Sequence, residues 1–156
     1  MNDIKSQWMA GHGLPDALVL DGHIHIGEWP HAATFRSVDE AVMESQRWLD
    51  SNGVDGCCGF PGYIFGKADY RLGNDFLLKV WRRMPERLIP FLGINPNDSR
   101  ENVLAELKRM TDAGVRCIKL LNAYQDNYPG DGPNLMALYA YAAEHRIGRA
   151  SCRERV

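Results

Sequence analysis

The sequence predicts an α/β fold built around a parallel β-sheet. Apolar segments alternate with segments of helical period, and the apolar segments recur every 27 to 36 residues. Parallel strands need crossover connections of this kind, most often a helix. Two architectures share this order of elements, an open doubly wound sheet and the first half of a (β/α)8 barrel. A glycine-rich phosphate loop after the first strand would favour the open sheet, but this chain has His-x-His there instead.

The predicted strands are short and mostly apolar. The first strand opens with a continuous apolar run, as a strand buried on both faces does. Gly59 and Pro61 end the second strand. Pro90 weakens the assignment of the third strand, because proline cannot donate a hydrogen bond to a neighbouring strand. The four strands are predicted at residues 17–27, 54–61, 87–96 and 115–124.

The predicted helices have recognisable starts and stops. Capping boxes of Ser37 with Glu40 and of Asp98 with Glu101 begin the first and third helices. A glycine ends each of these two helices, and Pro85 ends the second helix. The segment 62–73 is predicted to be a loop. The four helices are predicted at residues 37–53, 74–84, 98–114 and 134–146.

The composition excludes several classes of protein. The 156 residues are 45% hydrophobic and 24% charged, which is ordinary for one soluble domain with a sizeable core. The formal net charge of −2 gives no indication of binding to nucleic acid or anionic membranes. No apolar run reaches the roughly 18 residues that cross a bilayer, and the N-terminus lacks the apolar segment of a secretory signal. The four cysteines form neither a disulfide framework nor a C-x-x-C pattern, so we expect a cytoplasmic protein.

The last ten residues, IGRASCRERV (147–156), differ from the rest of the chain. They are basic and have neither a helical nor an alternating period. They resemble the translation of a common sequencing-library adapter, and we therefore interpret them as a non-native tail that replaces the natural continuation. A genuine short basic tail is the alternative. The chain then divides into an N-terminal segment (1–16), a partial domain (17–146) and this tail.

Two histidines lie two residues apart at the end of the first predicted strand, in the stretch LDGHIHIG. Side chains alternate along a strand, so His23 and His25 point to one face, and Ile24 and Ile26 point to the face that packs against helices. The strand's C-terminal end is where α/β folds build active sites. Two imidazoles placed in this way can share a divalent ion such as zinc. Histidines that merely hydrogen-bond to main chain or water are the alternative, and Asp21 just upstream favours metal.

Four stretches in order give the chain a resemblance to a known family. LDGHIHIG resembles the first strand of the amidohydrolase superfamily. The stretches GNDFLLKVWRRMPERLIPFLGINPND, AELKRMTDAGVRCIKLL and NLMALYAYAAEHRIG resemble later elements of its amidohydrolase-related branch. That branch includes decarboxylases of aromatic and aminocarboxymuconate-semialdehyde-type acids and some lactonases. The likeness covers residues 17–146 in the family's order and spacing.

The resemblance implies a fold and a metal. Members have a (β/α)8 barrel with one or two divalent ions at its C-terminal face, so this chain would be a truncated N-terminal half of about four βα units. The first-strand motif matches His23 and His25, which the resemblance makes metal ligands, most simply for Zn²⁺. Members take further ligands from their fifth, sixth and eighth strands, which this chain does not contain.

The resemblance also draws attention to Lys119. It matches the family's fourth-strand lysine, which is carboxylated in some binuclear relatives and lies on the substrate side or is structural in this branch. Alternation places Lys119 on the same face as Cys117 and Leu121. A structural lysine with a packed stem is an equal alternative. Many relatives have a histidine where Leu121 stands, which weakens a substrate role here.

The other polar residues are weaker candidates. Loop residues after the first strand could border the site, although solvated positions are the simpler interpretation. Asn95 fits a turn that leads into a helix. The adjacent cysteines fit small buried packing residues, and the remaining two histidines lie off the predicted site. These candidates are Glu28, His31, Asn95, Cys57, Cys58, His12 and His145.

The implied activity is hydrolysis of a C–N or C–O bond, or non-oxidative decarboxylation, of a small carboxylic acid. We expect a small-molecule substrate, neither nucleic acid nor a membrane as partner, and a full-length parent able to form a homo-oligomer. Two other enzyme families are weaker alternatives. A TatD-like nuclease usually has a glutamate where Lys119 stands, and a PHP-type phosphoesterase needs further early histidines. The alternative outside enzymes is a non-catalytic half-barrel without a complete metal site.

Overall fold

The chain forms a five-stranded parallel sheet with a helix in each of the four connections between strands. A computed structural model describes residues 6, 10, 17–27, 35, 37–62, 70–122, 125 and 129–151. The strands are β1 (Leu20–Ile26), β2 (Gly56–Pro61), β3 (Leu88–Gly93), β4 (Cys117–Leu120) and β5 (Gly148–Ser151). The helices are α1 (Val38–Ser51), α2 (Tyr70–Trp81), α3 (Arg100–Asp112) and α4 (Pro133–Glu144).

The order of the strands in the sheet decides between the two predicted architectures. The sheet runs β1-β2-β3-β4-β5, and each neighbouring pair is parallel. A doubly wound sheet reverses its strand order at a switch point. The described strands contain no such reversal, so this is the strand order of the N-terminal part of a (β/α)8 barrel.

The two faces of the sheet have different surroundings. The outer face, which packs against the helices, has two large apolar clusters, one with Ile26 and Leu88 and the other with Ile118. The inner face has a small apolar cluster in which Cys58 and Phe91 pack against Phe60 and Leu121. Alternation along each strand produces this division, as the sequence predicts for β1.

Two helix starts differ from the prediction. The N-cap of α3 is Ser99, whose hydroxyl accepts a hydrogen bond from Asn102 N–H, so the predicted cap at Asp98 was wrong. Asp98 instead accepts a hydrogen bond from the Tyr70 hydroxyl. α2 is already helical at Tyr70, four residues before its predicted start, and this bond ties Tyr70 to the start of α3.

Pro90 lies within β3 without interrupting the sheet. β2 pairs with residues 88–90 of β3, and β4 pairs with residues 91–93. Pro90 is therefore the last residue of β3 that pairs with β2, just before the residues that pair with β4. The prediction of a strand here was correct in spite of the proline.

A fifth strand lies where we expected a tail outside the fold. Residues 148–151 pair in parallel with residues 117–120 of β4, and Gly148 N–H donates to the Arg116 carbonyl at 2.7 Å. The count of four strands was therefore one too low. Main-chain pairing along a strand edge depends little on side-chain identity, which is why the sequence pattern gave no signal for it. None of the described helices is long and apolar enough to cross a membrane.

Candidate metal centre

The site begins with the local geometry of β1. His23 and His25 lie on the inner face, and their Nε2 atoms are 3.0 Å apart. The Asp21 carboxylate accepts a hydrogen bond from His23 N–H at 2.8 Å. This contact lies within the irregularity in the β1–β2 register, between Asp21 and Ile24. A short local bond of this kind fixes the main chain just before the two imidazoles.

The spacing of the two imidazoles fits a shared metal ion. Two nitrogen ligands about 2.0–2.1 Å from one zinc ion lie roughly 2.8–3.4 Å apart for bond angles of 90–109°. The observed separation of 3.0 Å falls in this range. The same separation also suits a hydrogen bond between one protonated and one unprotonated ring nitrogen. The donor set and its convergence therefore fit a divalent ion without requiring one.

Phe60 forms one wall of the site. It pairs with His25 across the β1–β2 ladder, and its ring centroid lies 4.4 Å from the His23 ring in an edge-to-face arrangement. The distance to the His25 ring is 5.9 Å. Phe60 was not predicted as a site residue, because its place beside the histidines depends on the register of β1 and β2.

Lys119 lies on the inner face, on the far side of Phe60. Its ammonium nitrogen is 4.4 Å from the centroid of the Phe60 ring, and its exposed fraction is 0%. Lys119 pairs with Gly93 of β3, so one strand, β3, lies between Lys119 and the strand that carries Phe60. The structure therefore brings Lys119 and the histidine pair to the same aromatic ring.

Side-chain amides tie together the segments that follow β3 and β4 at the C-terminal end of the sheet. The Gln125 side chain donates to the Ile94 carbonyl at 2.6 Å and accepts from Leu121 N–H at 2.9 Å. Asn97 donates to the Gln125 carbonyl, and Asn95 accepts from Asn97 N–H in a short turn. Asn95 thus has the geometry of a turn residue that leads into a helix. These bonds join the residues that follow β3 to those that follow β4.

The adjacent cysteines point to opposite faces. Cys57 is fully buried in the outer core, and burial, with the Asp21 charge second, raises the pKa of its thiol to about 12. Cys58 lies half-buried on the inner face, and burial raises its thiol pKa as well. Cys57 is a packing residue as expected, whereas Cys58 borders the site.

The remaining candidates lie elsewhere. Glu28, His31 and His12 lie outside the described residues. His145 is the C-cap residue of α4, where its ring lies 4.1 Å from the Tyr141 ring. In alternating α/β folds that helix end lies at the opposite edge of the sheet from the strand C-termini. Within the described residues no group of three or more His, Cys, Asp or Glu side chains could hold a metal ion.

Comparison with known proteins places the chain in a family. The family model of the amidohydrolases matches residues 20–147, so the chain belongs to the amidohydrolase family. This confirms the resemblance seen in the sequence. The match includes all of β1 and ends just before β5. No curated protein matches the chain.

Solved structures share the fold at low sequence identity. A 4-oxalomesaconate hydratase from Rhodopseudomonas palustris matches with a TM-score of 0.63 and 14% identity, over 85% of this chain and 51% of that one. A 2,6-dihydroxybenzoate decarboxylase from Rhizobium matches with a TM-score of 0.61 and 15% identity, over 93% of this chain and 51% of that one. The chain therefore spans about half the length of these structures.

Proposed function

We propose that the chain belongs to a metal-dependent enzyme that hydrolyses a C–N or C–O bond of a small carboxylic acid or decarboxylates it. The observation that carries this proposal is the convergence of the His23 and His25 Nε2 atoms at 3.0 Å, at the C-terminal end of β1. Family membership supports an enzyme of the hydrolase and decarboxylase group. Zinc is a common biological cation that accepts histidine nitrogens, and it is the ion proposed here.

Each residue of the site has a distinct task in this proposal. His23 and His25 would hold the ion, which would supply Lewis-acid polarisation of a substrate carbonyl. Asp21 fixes the main chain from which His23 projects. Phe60 covers one side of the pair.

For Lys119 we favour the structural alternative over direct contact with substrate. Its ammonium is fully buried behind the Phe60 ring, so a substrate bound at the histidines would meet the aromatic ring first. Its positive charge still lies on the same face as the ion and suits a site for an anionic substrate.

The 156-residue chain by itself is proposed to lack turnover. The described residues offer two convergent imidazoles and no larger ligand group, whereas a catalytic zinc site takes three protein ligands. We expect weak zinc binding and no turnover of amides, lactones or aromatic carboxylates. Measurable catalysis by this chain would contradict the proposal.

A competitive zinc titration of the 156-residue chain tests the metal site. His23→Ala and His25→Ala are each expected to remove most of the zinc binding, because each deletes one of two convergent ligands. His145→Ala is the matched control, since that histidine caps α4 away from the site. Equal zinc binding by the wild type and both β1 variants would overturn the metal assignment.

A further inference from the structure

Phe60 is held from several sides at once. Its exposed fraction is 1%. On one side its ring meets His23 edge-to-face at 4.4 Å and His25 at 5.9 Å. On the others it meets the Phe91 ring at 4.7 Å and the Lys119 ammonium at 4.4 Å from its centroid.

These contacts give the ring a defined orientation. Edge-to-face packing is a preferred geometry for aromatic pairs, and a cation within about 6 Å of a ring centroid is attracted to its π-face. Phe60 has two side-chain torsions, and its neighbours come from three different strands, β1, β3 and β4. The orientation of the ring is therefore set by the sheet itself rather than by a loop.

The two histidines, in contrast, are less buried than Phe60. His23 is exposed and His25 is half-buried, and an exposed imidazole on a strand has several accessible rotamers. A metal site requires both rings in one arrangement, since ligands that must be ordered on binding lower the affinity.

We propose that Phe60 is a positioning residue that holds the His23 and His25 rings with their Nε2 atoms converging, and that Lys119 holds the Phe60 ring from behind. The proposal rests on the metal site proposed above. In this proposal Lys119 acts without contact with substrate, and Phe60 does more than fill space.

The test combines NMR spectroscopy of the metal-free 156-residue chain with zinc titration. The proposal predicts that the ε-methylene protons of Lys119 are shifted upfield by the Phe60 ring. Phe60→Leu should abolish that shift and weaken zinc binding roughly tenfold, as is common when a residue supporting a ligand is removed. Phe60→Tyr keeps the π-face and should retain both the shift and zinc binding close to the wild type.

Phe76→Leu is the matched control, because Phe76 is a partly buried aromatic residue of the outer core. It makes the same change in side-chain volume but should alter neither measurement. Equal loss of zinc binding in Phe60→Leu and Phe76→Leu would reduce Phe60 to a packing residue and overturn the proposal.

If Phe60→Leu does not fold, the wild type and Phe60→Tyr decide. The absence of an upfield shift of Lys119 in the wild type overturns the positioning role. If that shift is present but the wild type binds no zinc, the proposed metal function fails instead. In that case the positioning role is tested by nuclear Overhauser contacts between the residue 60 ring and both imidazoles in Phe60→Tyr. Their presence supports the positioning role, and their loss overturns it.

Discussion

The outer and inner faces of the same sheet are built in opposite ways. The outer face is closed by four helices and buries large apolar side chains almost completely, Leu77 and Leu107 among them. The inner face combines two histidines, a lysine and two phenylalanines, and Ile89 on it is still 41% exposed. The covered face supplies stability, and the less covered face holds the groups that can do chemistry. Substitutions on the two faces should therefore separate folding from metal binding.

The largest expected loss of stability comes from Asn74 on α2. Its fully buried side chain donates to the Gly93 carbonyl and accepts from Gly93 N–H, at 2.9 and 2.8 Å, and also donates to Glu106. Asn74→Ala leaves these buried groups without partners and should lower the free energy of unfolding by about 3 kcal/mol.

Chemical denaturation of Asn74→Ala measures this loss, with Asn52→Ala as the control. Asn52 caps α1 with a similar side-chain bond to the Trp48 carbonyl near the surface, so its loss should cost about 1 kcal/mol or less. The comparison of faces breaks down if Asn74→Ala folds as stably as Asn52→Ala.

A smaller loss is expected at Gly59 of β2. A Cβ atom added there would lie 2.5 Å from Leu88 Cδ1 and close to Ile26 and Leu77. Gly59→Ala should therefore cost about 1–3 kcal/mol through overpacking of the outer face. The thermal unfolding midpoint measures the effect.

Gly22 of β1 is the matched position, because an added Cβ there would meet nothing within 4 Å. Gly22→Ala should leave stability unchanged or raise it slightly, since alanine restricts the unfolded chain more than glycine does. If Gly22→Ala lowered the thermal unfolding midpoint as much as Gly59→Ala, the open space beside Gly22 would be contradicted.

The smallest expected effect is a difference in reactivity between the adjacent cysteines, whose side chains lie on opposite faces of the sheet. Thiolate is the reactive form, and the Cys57 pKa of about 12 keeps that thiol protonated at pH 8. Cys58 is less buried, so iodoacetamide should modify Cys58 before Cys57. Peptide mass spectrometry of a timed reaction gives the order, and faster modification of Cys57 would contradict the assignment of faces.

Much of the fold follows from local patterns in the sequence. Ser37 caps α1 as predicted, with its hydroxyl accepting from Glu40 N–H, and the alternation around Ile24 assigns the faces of β1 correctly. The helical position of Tyr70 was not predicted in this way, and its hydroxyl bonds to Asp98, 28 residues away. Long-range contacts of this kind leave no periodic signal.

The candidate site likewise has a part that local sequence predicts and a part that it does not. His23 and His25 could be identified from one strand, since alternate residues of a strand lie on the same face. The link from Lys119 through Phe60 to the histidines could not, because it joins β4, β2 and β1 through tertiary packing. The pairing of His25 with Phe60 depends on the register of two strands, which the sequence does not specify by itself.

Zinc K-edge X-ray absorption of the 156-residue chain loaded with one equivalent of zinc tests the central claim most directly. The account predicts two imidazole nitrogens at about 2.0–2.1 Å from the ion, both lost from the spectrum in the His23→Ala, His25→Ala double variant. A spectrum dominated by sulfur at about 2.3 Å, or one unchanged in the double variant, would place the ion elsewhere and contradict the claim that the inner face of β1 is a metal site.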